Sequence, residues 1–177
     1  MLKIMSCMLL ISCSCMLGIM KSYNLKTRCT EIENAIETLR MLDIDITYKK
    51  EPLAKSFEKI SSAKSCYLTY MMRDCSHSLK NQRSLDESWY LAKNRYDHKN
   101  SLSDNDMTIL DDLFISLGKS DSEGQHRLFE AAMLRLRSNL NEAKSIENKK
   151  GKMYISISTA AGIVTSILLL EGVKDGY

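Results

Sequence analysis

The sequence predicts an all-α protein, a six-helix bundle bracketed by an N-terminal and a C-terminal transmembrane helix. The chain has 177 residues but only seven glycines and one proline, a composition that favours long helices over a turn-rich sheet. Two uncharged apolar runs, residues 4–20 and 153–170, are each about long enough to cross a bilayer. Between them, apolar residues recur at helical spacing. A chain of this size can bury one core of ordinary size.

The first apolar run lies between Lys3 and Lys21. As a helix it would be about 26 Å long, which suffices to span a bilayer when both lysines extend towards the headgroups. We therefore expect residues 1–21 to be a membrane anchor. Leu10-Ile11-Ser12-Cys13 also fits a lipobox, so the alternative is a lipid-anchored extracytoplasmic helical binding protein processed at Cys13. That alternative is disfavoured because the chain stays apolar up to Lys21, whereas lipoproteins continue into polar sequence.

The first helix of the bundle is predicted from residue 22 to about residue 48. Its apolar residues recur every three or four positions, and charged residues occupy the other faces. The second helix begins at Pro52, since proline suits the first turn of a helix, and ends near Ser62. A third extends from Tyr67 to about Lys80. The apolar stripe of the first helix consists of Leu25, Cys29, Ile32, Ile36, Leu39, Leu42 and Ile46.

Polar caps predict where the last three helices begin. Ser84 and Glu87 have the spacing of a capping box, and Ser103 with Asp106 repeats it ahead of the fifth helix. Gly118 is expected to end the fifth helix as a left-handed cap, and Ser120 to begin the sixth. The expected buried face of the sixth helix consists of Leu128, Ala132, Leu136, Leu140 and Ala143.

The second apolar run, residues 153–170, predicts a C-terminal transmembrane helix followed by a short tail, residues 171–177. Basic residues crowd the ends of both runs that face the middle of the chain. By the positive-inside rule, the helical bundle of residues 22–152 is cytoplasmic and both termini lie outside. Small residues spaced four apart allow membrane helices to pack closely. The candidates for this packing are Ser14, Gly18, Ser158, Gly162 and Ser166.

The sequence predicts no catalytic, cofactor-binding or metal-binding residues. Gly118-Lys119-Ser120 resembles the end of a phosphate-binding loop, but Leu113 stands where the first glycine would be required. Cys75 and His77 lack a second pair of zinc ligands. The 25 basic and 22 acidic residues are mixed and give a net charge of only +3, which does not indicate nucleic acid as a partner. An enzyme with an unrecognised site is the remaining alternative.

Three parts of the chain resemble the stage III sporulation protein AB family. Residues 39–48 followed by Glu51-Pro52-Leu53 match its first signature, with Asp45 in place of the usual glutamate. Residues 101–110, then 117–121 and Gln125, resemble its most distinctive region, and residues 151–154 with Ala161-Gly162 resemble its closing span. The motif positions, which we expect to be structural, are Tyr48, Pro52, Leu53, Leu117, Gly118, Asp121 and Gln125.

The resemblance implies a non-enzymatic component of a channel or secretion-like complex between mother cell and forespore, in the mother-cell membrane around the forespore. It implies the fold of the helical module of type II secretion inner-membrane platform proteins and no cofactor. The implied partners are the lipid bilayer, other membrane subunits of the channel and the cytoplasmic ATPase stage III sporulation protein AA. Homo-oligomerisation is left open. The docking face predicted for the ATPase is the charged side of the first helix, formed by Glu31, Glu33, Glu37 and Arg40.

Overall fold

The computed structural model describes residues 2–96, 101–117, 119, 122–151, 153–154, 156–161 and 164. The described part of the chain contains α-helices and two π-helical turns and no strand, which confirms the all-α prediction. Residues 153–154, 156–161 and 164 are also α-helical. The helices are α1 (Leu2–Asp43), α2 (Leu53–Ala63), α3 (Tyr67–Lys80), α4 (Leu85–Tyr96), α5 (Asp104–Leu117) and α6 (Ser122–Ile146), and the π-helical turns are Ile44–Tyr48 and Glu147–Gly151.

The chain divides into two compact units. One consists of Arg28–Asn141 and is called the bundle below. The other consists of Met1–Thr27 and Glu142–Tyr177. The limits predicted for the cytoplasmic domain, residues 22 and 152, are not tested by this division.

Among the described residues, no helix is both long and apolar enough to cross a membrane. The first apolar run lies within α1, but the side chains of Ser14 and Gly18 are outside the description. Gly162, Ser166 and most of the second run are outside the described residues as well. Of the five predicted packing residues, Ser158 has a described side chain, which is half-buried.

The core of the bundle is built around three fully buried phenylalanines. Phe114 of α5 lies at its centre: the Trp89 ring stacks on it with 4.1 Å between centroids, and Phe57 meets it edge to face at 5.8 Å. Phe129 of α6 is equally buried. The predicted stripe of α1 is buried from Cys29 to Ile46, while Leu25 is half-buried. Along the chain, α2 packs on α3, α3 on α4, and α4 on α5.

The predicted caps of α4 and α5 are present. Ser103 Oγ accepts a hydrogen bond from the Asp106 backbone N–H at 3.3 Å, and Asp106 Oδ2 accepts one from the Ser103 N–H at 2.9 Å. At α4, Ser84 Oγ accepts from the Glu87 N–H at 3.2 Å. These bonds satisfy N–H groups that have no partner inside the helix. The predicted caps at Gly118 and Ser120 lie outside the described residues.

Two local predictions were wrong, and a third was correct only in part. Pro52 is the N-cap of α2 rather than a first-turn residue, because its ψ of 137° is not helical while its carbonyl already accepts the bonds of the first turn. The first helix widens into a π-helical turn at Ile44–Tyr48 instead of staying α-helical to residue 48. The buried face of α6 was predicted in part. Ala132, Leu136 and Ala143 are buried as expected, but Leu128 and Leu140 are half-buried, and the face also includes Phe129 and Met133, whose large side chains remove more apolar surface from water.

Candidate functional site

Two of the four residues of the predicted docking face also hold the bundle together. Glu31 Oε2 accepts a hydrogen bond from the Tyr67 backbone N–H at 3.1 Å, so this carboxylate caps the N-terminus of α3. Glu37 forms an ion pair with Lys64, which follows α2. The hydrogen bond and the charge of Lys64 lower the pKa of Glu37. Glu33 and Arg40 are exposed on the same helix.

Asp45, whose side chain is buried, forms an ion cluster with two exposed lysines at the π-helical turn Ile44–Tyr48. Lys49 Nζ lies 2.6 Å from Asp45 Oδ1, and Lys59 Nζ of α2 lies 3.0 Å from Oδ2. Burial alone would raise the pKa of Asp45, but the hydrogen bonds and charges of the two lysines outweigh it and lower the pKa. The carboxylate of Asp45 thereby connects the end of α1 to α2.

An apolar groove of about 260 Å³ lies beside this cluster. Met41 and Ile44 line it from the end of α1 and the π-helical turn, and Ile60 and Ala63 line it from α2. Asp45, Lys49 and Lys59 supply the polar part of the lining. Met41 and Ile44 are exposed although both are large and apolar. The groove is therefore a surface at which another apolar side chain could be buried.

Asp106 forms a second buried ion cluster, which ties α1 to α5 and α6. Arg28 Nε donates to Asp106 Oδ2 at 2.9 Å, and Arg28 Nη2 donates to Ser103 Oγ at 3.0 Å. Asn139 Nδ2 donates to Asp106 Oδ1 at 2.8 Å. Burial would raise the pKa of Asp106, but the hydrogen bonds from Arg28, Ser103 and Asn139 together lower it. Asp106 is thus a carboxylate at neutral pH, held by donors from two helices, α1 and α6, and from the α5 cap.

His126 of α6 contacts the end of α1. Its Nδ1 lies 3.0 Å from both carboxylate oxygens of Asp43, and its Nε2 lies 3.7 Å from Glu130. Thr47 Oγ1 donates to Asp43 at 2.8 Å, and the Tyr48 ring meets the imidazole edge to face. The hydrogen bond from His126 to the Asp43 carboxylate, followed by the charge of that carboxylate, raises the pKa of His126.

Cys75, which the sequence analysis rejected as a zinc ligand, is buried. Burial raises the pKa of the Cys75 thiol to about 12, so it is protonated at neutral pH and is a poor metal ligand. His77 lines a polar cavity of about 400 Å³ between α3 and α4, in which Arg95 pairs with Asp74 at 2.6 Å. Among the described residues, no group of three or more His, Cys, Asp or Glu side chains could hold a metal ion.

The comparisons with known proteins agree with the predicted resemblance. A family model described as stage III sporulation protein AB matches residues 3–170. The chain belongs to the stage III sporulation protein AB family. A solved structure titled "Stage III sporulation protein AB (SpoIIIAB)" has a similar fold, with a TM-score of 0.64 and 19% sequence identity over 70% of this chain and 98% of the solved chain. A comparison with curated protein sequences found no match.

The structure places the motif positions of the stage III sporulation protein AB family at helix ends. Pro52 and Leu53 begin α2. Leu117, the last residue of α5, is buried, and its carbonyl accepts a hydrogen bond from Gln125 Nε2 at 3.2 Å, so Gln125 joins the start of α6 to the end of α5. Tyr48 is exposed at the end of the π-helical turn. Gly118 and Asp121 lie outside the described residues.

Sequence reasoning missed the partners of Asp45 and Asp106. Both acids lie in family signatures, but the signature does not say that Lys59 or Arg28 would reach them. A polar residue on an otherwise apolar helical face was the available signal: Asp45 neighbours Ile46 of the buried stripe, and Asp106 neighbours Met107 of the α5 core. Buried acids are almost always paired, so each of these positions implied an unidentified cation.

Proposed function

We propose that this protein is a non-enzymatic platform component of the channel or secretion-like complex between mother cell and forespore in endospore formation. The match of the family model to residues 3–170 carries the proposal, because it includes both apolar runs and the bundle. In this proposal residues 4–20 and 153–170 anchor the chain in the mother-cell membrane around the forespore, and the bundle faces the cytoplasm. The anchors rest on the uncharged sequence of these runs and on the basic residues beside them.

The ion clusters of the bundle support a binding role rather than a catalytic one. A general acid at neutral pH needs a raised pKa, whereas the pKa values of Asp45 and Asp106 are lowered. The hydrogen-bond donors that hold each carboxylate are side chains of the same bundle. Such clusters fix the relative positions of helices and so preorganise a surface for a partner.

The proposed partner is the cytoplasmic ATPase stage III sporulation protein AA. The proposed docking face is the charged side of α1, formed by Glu31, Glu33, Glu37 and Arg40, on which Glu33, Glu37 and Arg40 are exposed. Charged side chains at the rim of an interface accelerate association and select the correct partner. The bundle would thereby hold the motor at the membrane, where restriction to two dimensions raises the effective concentration.

A co-purification experiment tests the docking face. The double variant Glu33→Lys/Arg40→Glu is expected to reduce recovery of the ATPase with the full chain, most strongly at low salt, where charge interactions are least screened. Arg135→Glu is the matched control, because Arg135 is exposed on α6 and pairs with Asp112 at 3.2 Å. Equal recovery of the ATPase with both variants and the unaltered chain would exclude this face.

Protease treatment of right-side-out vesicles tests the topology separately. If the bundle is cytoplasmic, intact vesicles protect residues 22–152, and permeabilised vesicles do not. Digestion in intact vesicles would place the bundle on the opposite side of the membrane. Unimpaired forespore development after depletion of the protein would contradict the proposed role in sporulation.

A further inference from the structure

The compact unit formed by Met1–Thr27 and Glu142–Tyr177 exposes large apolar side chains on both of its segments. In the first segment Met16 is 67% exposed and Ile19 is 57% exposed. In the second segment Ile157 is 58% exposed. Exposed apolar side chains that recur along one part of a protein indicate a surface that an apolar partner covers. These residues belong to the two apolar runs, for which the proposed surroundings are lipid chains.

Both apolar runs meet exposed lysine and tyrosine side chains at the end that is nearer to the bundle in the sequence. In the first segment Lys21 and Tyr23 follow the run, and Tyr23 is 67% exposed. In the second segment Lys149 and Lys150 are exposed in the π-helical turn before the run, and Tyr154 at its start is 36% exposed. We call these five residues the collar. Lysine and tyrosine suit the headgroup level of a membrane, because each combines an apolar body with a polar tip.

The segments that carry the collar have an excess of positive charge. Residues 21–27 contain two lysines and no acidic residue, and residues 142–152 contain four lysines and two glutamates. In the described part of the chain, Lys21, Lys149 and Lys150 form no ion pair with a carboxylate. Because these cations lie next to exposed apolar side chains, the partner that suits them carries negative charge beside an apolar phase. A bilayer that contains anionic lipids has this composition.

We propose that the collar binds the phosphate headgroups of anionic phospholipids, so that the protein selects lipids of this class from the membrane around it. Basic residues at a membrane surface attract anionic lipids, and the effect grows with each lysine or arginine. A zwitterionic headgroup has no net charge and gains less from the same lysines. The proposal rests on the proposed function only in placing the two apolar runs in a bilayer, and it does not require the ATPase.

A role in membrane orientation alone predicts a different behaviour of the folded protein. Basic residues beside a membrane span orient the chain during insertion. Such a signal leaves the inserted protein indifferent to the charge of its lipids. The collar lysines are still exposed beside tyrosine rings in the folded chain, so they remain available to headgroups. The two roles therefore differ in whether the folded protein prefers anionic lipids.

Lipid retention by the purified full chain tests the proposal. The delipidated chain is mixed in detergent with equal amounts of phosphatidylglycerol and phosphatidylcholine and recaptured at low salt, and its bound lipids are quantified by mass spectrometry. We expect phosphatidylglycerol to be enriched about fivefold or more, since one lysine near a headgroup favours the anionic lipid by about this factor. The enrichment should fall at high salt, where charges are screened. Because the lipids are supplied in micelles, the orientation of insertion does not affect the result.

Two pairs of lysine substitutions separate the collar from the rest of the surface. Lys149→Gln/Lys150→Gln should remove most of the enrichment, whereas Lys149→Arg/Lys150→Arg should keep it, because arginine preserves the positive charge. Lys50→Gln/Lys55→Gln is the matched control, since both lysines are exposed in the bundle and the change of charge is the same. This control should retain phosphatidylglycerol as the unaltered chain does.

Three results would overturn the proposal. These are equal retention of the two lipids by the unaltered chain at low salt, full enrichment in Lys149→Gln/Lys150→Gln, and a loss of enrichment in the control pair as large as in the collar pair. Failure of the proposed anchors is detected separately by washing phosphatidylcholine vesicles that carry the chain with alkaline carbonate. Extraction of the chain would contradict the anchors, whereas a chain that stays in these vesicles but shows no preference for phosphatidylglycerol would contradict the collar alone.

Discussion

Arg28 and Asp106 are 78 residues apart in the sequence, yet Arg28 Nε donates to Asp106 Oδ2 at 2.9 Å. The contact joins α1 to the first turn of α5, and Asn139 of α6 donates to the same carboxylate. The Asp106 side chain is fully buried and Arg28 is largely buried. Removing one partner of such a pair leaves a buried charge without compensation.

Arg28→Met is accordingly expected to lower the free energy of unfolding by about 3 kcal/mol. The measurement is urea denaturation of the full chain, followed by circular dichroism. Arg135→Met is the matched control, since its ion pair with Asp112 is exposed on both sides and should contribute less than about 1 kcal/mol. Equal losses in the two variants would mean that burial does not strengthen the Arg28 contact.

The Asp106 carboxylate also predicts acid sensitivity. Its pKa is lower in the folded state than in the unfolded state, so its stabilising effect is complete above about pH 4 and is lost as the pH falls through the folded-state pKa. Asp106→Asn should reduce the melting temperature at neutral pH, and the difference from the unaltered chain should shrink in acid. A difference that stays constant from neutral pH to about pH 3 would contradict this assignment.

The contact between His126 and Asp43 predicts the opposite dependence on pH. Asp43 raises the pKa of His126, so this pair stabilises the fold fully below about pH 6.5 and loses its effect as the pH rises through the folded-state value. His126→Gln should therefore cost more melting temperature at about pH 6 than at about pH 9. Asp43→Asn should likewise lower the melting temperature more at the lower pH than at the higher one. If either variant lowers the melting temperature equally at both pH values, the proposed ion pair is wrong.

The aromatic cluster around Phe114 predicts a large core effect. Phe114→Ala removes a fully buried ring that contacts both Phe57 and Trp89 and should cost about 3–5 kcal/mol. Trp89 is the single tryptophan of the chain and stacks on Phe114. Its fluorescence therefore reports the cavity that Phe114→Ala leaves, and the emission maximum should shift to longer wavelength. Ile115→Ala, one residue along and exposed, is the control. A comparable loss in that variant would place the core elsewhere.

Local sequence patterns predicted the helices of the bundle closely. The third helix was predicted from Tyr67 to about Lys80 and has those bounds, and the second ends at Ala63 rather than Ser62. The capping pair Ser103 and Asp106 marked the start of the fifth helix. These features are predictable because helical periodicity and caps depend on residues within about four positions of each other.

Long-range contacts were not predictable in the same way. Glu31 was assigned to a docking face from its charge alone, but it caps α3 by accepting from Tyr67, 36 residues away. The ion cluster of Asp45 was missed because one of its partners, Lys59, belongs to the next helix. The groove is lined by residues of both α1 and α2, so the periodicity of a single helix could not predict it.

The sequence by itself determined the all-α class, the order and approximate limits of the helices, the apolar stripe of α1 and the family to which the chain belongs. It did so through spacing and local capping, which act over a few residues. Only the tertiary structure decided which charges are buried together, where α1 changes to a π-helical turn and which apolar residues stay exposed. These outcomes depend on how residues distant in the sequence compete for the same interior, because a buried carboxylate is stable only where a cation from another element can reach it.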